Sequence, residues 1–112
     1  MQKFYWSLCV TPTDVKPEHL KIVQHILGQY VPKLRVVAFG SRVSGTARQT
    51  SDLDLCIIAH ECIPFETLGN LRDEFSLSNL PYKVDVIDWT VTAPDFKKII
   101  LESHIVIQDQ SL

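Results

Sequence analysis

Two carboxylates straddle a leucine at Ser51-Asp52-Leu53-Asp54-Leu55, at the mouth of an apolar run that continues to Ala59. On a strand, residues two apart face the same side, so Asp52 and Asp54 project together while Leu53 and Leu55 enter the core. Two like charges so placed repel. A hard cation lowers that cost, and magnesium prefers carboxylate oxygens combined with substrate phosphate oxygens and water.

Around this pair the chain alternates helical and strand-like segments. Pro17 to Tyr30 carries Leu20, Val23, Leu27 and Tyr30 at steps of three and four, with proline in the first turn and Pro32 beyond the end, which predicts an amphipathic helix. Leu34 to Phe39 is a valine-rich run ending on Gly40-Ser41, a buried strand running into a tight turn. From Pro64 to Leu80 the positions Phe65, Leu68, Leu71 and Phe75 recur at helical spacing. Tyr82 to Trp89 reads as a third strand, with Val84, Val86 and Asp88 on one face and Asp85 and Ile87 on the other.

Thr92-Ala93-Pro94-Asp95 matches a capping box, and the helix it opens should carry Phe96, Ile99 and Ile100 inward and end near His104. Ile105 to Ile107 fits either a short strand or a packed tail, and Asp109 to Leu112 a frayed end. Helix, strand, turn, strand, helix, strand, helix is an α/β order, of the α+β type. It predicts a sheet of at least three strands packed against helices, within one domain spanning residues 1–112.

Gly40 leaves room for backbone to approach an anion, and Ser41 adds a hydroxyl and an N–H at the start of a helix, a pairing suited to the phosphates of a triphosphate. If the strands on either side of this loop run antiparallel, the phosphate loop and Asp52 and Asp54 meet at one end of the sheet. Asp85 is then the third carboxylate, able to share a metal and to accept a proton from an attacking hydroxyl. Asp88 competes for that role from the opposite face. Arg42 and Arg48 can neutralise phosphate with forked donors. Lys83 reads as a phosphate ligand or as a solvated lysine that discourages edge pairing. Trp6, Tyr82 and Trp89 either stack a base or pack. Taken singly, Gly40-Ser41 is a turn and each aspartate a cap or a solvated residue; their combination carries the signal.

Gly40-Ser41, Gly45, Ser51-Asp52-Leu53-Asp54-Leu55 and Val84-Asp85-Val86 together resemble the nucleotidyltransferase pattern of the DNA polymerase β superfamily. At this length GSRVSGTARQTSDLDL is similar to the MNT group, minimal nucleotidyltransferases paired with a small helical HEPN protein in toxin-antitoxin operons. The resemblance implies a polymerase β-like mixed sheet, a metal site on Asp52, Asp54 and Asp85 holding two Mg2+ ions, and ATP phosphates on Gly40 and Ser41. It further implies an antitoxin that transfers AMP from ATP to a tyrosine hydroxyl of its HEPN partner. The other readings are a non-catalytic subunit that neutralises a helical partner by occlusion and a small-molecule nucleotidyltransferase completed by that partner.

Composition narrows the field by exclusion. The 112 residues are 46% hydrophobic and 21% charged, the balance of a globular chain. A net charge of -2 gives no general attraction to nucleic acid, so no direct nucleic-acid binding is expected. No apolar run is long enough to span a membrane, and the start has no long apolar core, which predicts a cytoplasmic protein. Cys9, Cys56 and Cys62 lack CxxC spacing and read as reduced packing residues, and the histidines His19, His25, His60 and His104 are dispersed.

Overall fold

The computed structural model describes residues 15–44 and 51–109. Helix α1 (Pro17–Tyr30) leads into strand β1 (Arg35–Phe39) and a single helical turn α2 (Ser41–Ser44). Strand β2 (Leu53–Ile58), helix α3 (Phe65–Leu77) and strand β3 (Val84–Asp88) follow. A 3-10 turn (Trp89–Val91), helix α4 (Pro94–Glu102) and strand β4 (Ile105–Gln108) complete the order.

The four strands form one mixed sheet in the order β3-β2-β1-β4. β1 lies antiparallel to β2, with Phe39 opposite Asp54, and antiparallel to β4 on its other side, with a register shift between Val36 and Val37. β2 and β3 run parallel, with Asp54 opposite Asp85. A parallel pair needs a crossover, and α3 is the helix that supplies it.

Alternation along the strands divides the core in two. On one face Val36, Ala38, Leu53, Leu55, Ile57, Val84, Val86, Ile105 and Ile107 pack beneath Val23, Ile26 and Leu27 of α1 and Leu71 and Phe75 of α3. Each fully buried Leu or Ile there contributes roughly 1.5–3 kcal/mol of apolar burial. The other face is thinner: Val37, Phe39 and Cys56 meet Ile100 of α4. Asp54 and Asp85, alternating with these core-facing leucines and valines, share this second face, so the apolar strip available to α4 is narrow.

That narrowness corrects the expectation for α4. Only Ile100 is buried; Ile99 is 57% exposed, and Phe96, 38% exposed, touches the core through an edge-to-face contact with Phe39, ring centroids 5.6 Å apart. The capping box also does not form. The helix begins at Pro94 behind Ala93, while Thr92 Oγ1 donates to the Asp88 carbonyl at 2.7 Å and so belongs to the turn after β3. In α3, Phe65 at the first position is exposed, whereas Leu71 and Phe75 face the core. The third strand is shorter than Tyr82–Trp89 at both ends, and α4 stops at Glu102.

The Ile105–Ile107 segment is a strand, pinned by more than its ladder. Gln108 Nε2 donates to the carbonyls of Val31 and Leu34 at 2.7 and 2.8 Å, and Asp109, expected to fray, pairs with Arg35 at 2.9 Å. Of the three cysteines, Cys56 is buried and Cys62 exposed. Cys9, Trp6, Gly45 and Arg48 lie outside the described residues.

Candidate active site

The turn after β1 is made possible by Gly40, whose φ of 85° lies in the left-handed region. Space demands glycine as well as torsion. A Cβ at this position would collide with Asp54 Oδ2 and come within 3.3 Å of Asp54 Cγ. Immediately beyond, Val43 N donates to the Gly40 carbonyl at 3.0 Å, closing the turn that carries Ser41.

Register brings the carboxylates to this loop. Antiparallel pairing sets Phe39 opposite Asp54, so Gly40 follows directly alongside; parallel pairing sets Asp54 opposite Asp85. Leu53 N donates to the Lys83 carbonyl at 2.9 Å, starting the β2–β3 ladder one residue before Asp54 and two before Asp85. Leu53, Leu55, Val84 and Val86 are buried on the core side, and Asp54 and Asp85 are half-buried on the other. Asp52 stands one residue before β2.

The electrostatics follow from this crowding. Burial, then the charge of Asp85, then that of Asp52, push the Asp54 carboxyl up to about 6. Lys83 Nζ lies 3.6 Å from Asp85 Oδ1, a solvent-exposed pair at the outer edge of the sheet, where β3 begins. Among the described residues no three His, Cys, Asp or Glu side chains close into a preformed metal cage. The donor set nevertheless fits magnesium, which is held by one or two carboxylates and completed by substrate phosphate and water.

Asp88, the rival acid, has a different task. It is 4% exposed, on the core face, where its Oδ2 accepts from Ile63 N at 2.8 Å and its Oδ1 from Thr90 N and Oγ1 at 2.8 and 2.7 Å. Burial alone would raise its carboxyl, but the hydrogen bonds from Ile63, Thr90 and Cys62 outweigh it and hold the group below its ordinary value.

Arg42, on the first turn of α2, is 5% exposed. Its Nε donates to the Ser51 carbonyl at 2.9 Å, and its guanidinium carbon sits 3.9 Å from the centroid of the Tyr82 ring. Tyr82 in turn meets His19, its hydroxyl 3.3 Å from Nδ1. Trp89 lies under Lys97, with Nζ 4.9 Å from the ring centroid. The linkage from Arg42 to Tyr82 joins residues forty positions apart, and nothing in the local pattern of either announces it.

A groove of about 720 Å3 runs past Phe75, Leu80, Tyr82 and Lys83 to Asp85. A second cleft, about 540 Å3, is lined by Val31, Leu34, Ala59 and Ile63, toward the opposite end of β1 and β2, away from the aspartates.

The mixed sheet that carries this glycine turn and its two in-register carboxylates has the polymerase β-like nucleotidyltransferase fold. The family model for polymerase beta nucleotidyltransferases matches residues 21–111, and the chain belongs to that family. The probable protein adenylyltransferase MntA of Haemophilus influenzae is 48% identical over 97 residues, covering 87% of this chain and 85% of that protein. The fold is shared with a chain of a crystal structure of a toxin-antitoxin with AMP-PNP, with a TM-score of 0.70 at 20% identity over 82% of this chain and 74% of that one. It is also shared with a structure of a tri-AMPylated Shewanella oneidensis HEPN toxin in complex with MNT antitoxin, with a TM-score of 0.60 at 17% identity over 81% and 73% of the two chains.

Proposed function

We propose that this chain transfers AMP from ATP to a hydroxyl of a small helical HEPN partner, a tyrosine, and thereby acts as the antitoxin of a toxin-antitoxin pair. The observation that carries the reading is the stack of Gly40, Asp54 and Asp85 across three adjacent chain segments. Near identity in length and 48% identity in sequence to a probable protein adenylyltransferase support AMP as the transferred group and protein as the acceptor. An ATP-dependent reaction of this kind belongs in the cytoplasm, and no helix among the described residues is long and apolar enough to cross a membrane.

In this reading Asp52, Asp54 and Asp85 hold Mg2+, two ions in the full complex, and Gly40 and Ser41 receive the phosphates. When bound, magnesium neutralises triphosphate charge and stabilises the oxygens that gain charge in the displacement. The chain's own part is positional and acid-base. Gly40 lets its backbone come close to the phosphates, and Ser41 offers an N–H and a hydroxyl. Asp85 takes the proton of the acceptor hydroxyl as that oxygen bonds to the α-phosphorus, while the bond from the α-phosphorus to the bridging oxygen breaks and pyrophosphate departs. Asp85 lies on the edge strand and borders the 720 Å3 groove, which gives the acceptor its approach from the side away from the glycine loop. Lys83 stands beside Asp85 at this groove, its Nζ 3.6 Å from Asp85 Oδ1.

The test is transfer itself. The purified chain is incubated with its helical partner, magnesium and α-labelled ATP beside an Asp52→Ala/Asp54→Ala variant. Label on the partner from the unsubstituted chain alone supports the reading. A stable complex without transfer would overturn it in favour of neutralisation by occlusion.

A further inference from the structure

Arg42 would serve as a phosphate ligand if only its place in the loop mattered, yet its side chain is committed elsewhere. With 5% of the residue exposed, its Nε is spent on the Ser51 carbonyl and its flat face on Tyr82. Those two partners are not arbitrary. Ser51 immediately precedes Asp52, Tyr82 lies three residues before Asp85, and Arg42 itself follows Gly40 and Ser41. Tyr82 is anchored in its turn, its ring perpendicular to His19 of α1 at 5.5 Å between centroids.

We propose that Arg42 is a positioning residue: acting through Ser51 and Tyr82, it ties the glycine loop to the two segments that deliver Asp52 and Asp85, and it does not itself grip phosphate. Guanidinium chemistry explains the residue type. Its planar fork donates in the plane while its face lies on an aromatic ring, and a lysine ammonium has no equivalent arrangement. The clamp adds to the β-ladders a tie just beyond the strand ends, for Ser51 stands two residues before β2 and Tyr82 two residues before β3. Fixing them sets where the carboxylates stand relative to the loop before any ligand arrives.

The kinetic arm of the test rests on the AMP-transfer reading; a second arm, metal binding, does not. Arg42→Lys, Arg42→Gln, Tyr82→Leu, Tyr82→Phe and the Arg42→Gln/Tyr82→Leu double variant are compared for transfer kinetics and for binding of Mn2+ alone to the nucleotide-free chain. Arg42→Lys, Arg42→Gln and Tyr82→Leu should each lower kcat by about 10- to 100-fold, the scale of an ångström-sized misplacement, with the KM for ATP held within about threefold. Lysine should do no better than glutamine, phenylalanine should restore most of what leucine loses, and the double variant should be no worse than the poorer single one. Mn2+ binding should weaken in step with kcat.

A raised KM for ATP with kcat preserved in Arg42→Lys would overturn the proposal in favour of a phosphate ligand, and so would fully multiplicative single effects. Should the Arg42 variants fail to fold, the Tyr82 pair carries the same test, and a Tyr82→Leu variant with unaltered kcat would sink it. If the unsubstituted chain transfers no AMP, the activity reading fails by itself. Mn2+ binding then decides, and unchanged binding in the folded variants would overturn the clamp.

Discussion

Gly40 and Asp54 occupy space that only one side chain can fill. The glycine, at φ 85°, lies so close to the aspartate that any Cβ would meet the carboxylate. The bare backbone at position 40 thus makes room for the acid at position 54, and the conformation and the space both require glycine. Gly40→Ala should lose about 1–3 kcal/mol of stability through its left-handed torsion and the clash, and transfer should fall by about 100-fold as Asp54 is pushed aside. Adding Asp54→Gly to this variant should recover the clash component of stability and leave the torsional one, with no return of activity. Thermal unfolding and transfer rates together check the pair; full stability in Gly40→Ala would contradict the geometry.

The raised carboxyl of Asp54 makes the unliganded protein pH-sensitive. With its value moved from 3.8 to about 6, the folded state holds a proton that the unfolded chain has released. This contribution to stability is therefore present in full below pH 3.8 and is lost as pH rises through about 6. Allowing for solvent screening of a half-exposed group, the loss is on the order of 1–2 kcal/mol. Asp54→Asn should flatten this slope and, near pH 7 without divalent ions, melt a few degrees higher than the unsubstituted chain while losing transfer. Unfolding curves at about pH 4.5 and pH 7 in chelator, on either side of the folded value, measure it, and a lower melting point in Asp54→Asn at neutral pH would refute it.

Much of this site could be read directly from residue order. Alternation placed Asp54 opposite Leu53 and Leu55, and Asp85 opposite Val84 and Val86, because a pleated strand with a buried face imposes period two. The same logic placed Asp88 on the core side. What local pattern could not supply was the pairing of strands: β1 antiparallel to β2 and, across the α3 crossover, β2 parallel to β3. The inward face expected for Phe96 and Ile99 failed for a related reason. Helical spacing finds an apolar face without saying how much apolar surface awaits it, and here two aspartates take up part of the sheet face on which α4 packs. Thr92 matched a capping box by spacing, but the Asp88 carbonyl, at the end of β3, competes for its hydroxyl and wins.

Asp88 should be costly to remove although it stands apart from the chemistry. It gathers three donors, from Ile63 and Thr90, in a site 4% exposed, and so fastens the loop before α3 to the end of β3. Asp88→Ala strands those donors and should cost about 2–4 kcal/mol. Because hydrogen bonds hold its carboxyl below the ordinary value, its contribution is present above the unfolded value of 3.8 and is lost as pH falls through the lower folded one. Denaturant unfolding at neutral pH should show the full loss, and the midpoints of variant and unsubstituted chain should converge in strong acid. A loss of transfer activity in fully folded Asp88→Ala would instead assign this residue to the catalytic machinery.

Cys56 offers a measure of how firmly the carboxylate platform is held. It lies two residues beyond Asp54 on the same face, fully buried against Val37 and Ile100, and burial pushes its thiol up to about 12, with a smaller upward push from Asp88 and a downward pull from Lys97. At about pH 8 the folded protein therefore presents almost no thiolate at this position, and reaction with a thiol reagent requires opening of the β1–β2–α4 layer. In a Cys9→Ser/Cys62→Ser background, labelling of Cys56 should be slower than labelling in denaturant by about 1,000-fold or more, as expected for a core group in a marginally stable domain. Ile100→Ala, which removes its cover, should accelerate labelling far more than substitution of the exposed Ile99, because only the first of these two neighbours on α4 seals the site. Equal acceleration by both would mean that α4 does not turn Ile100 alone toward the sheet.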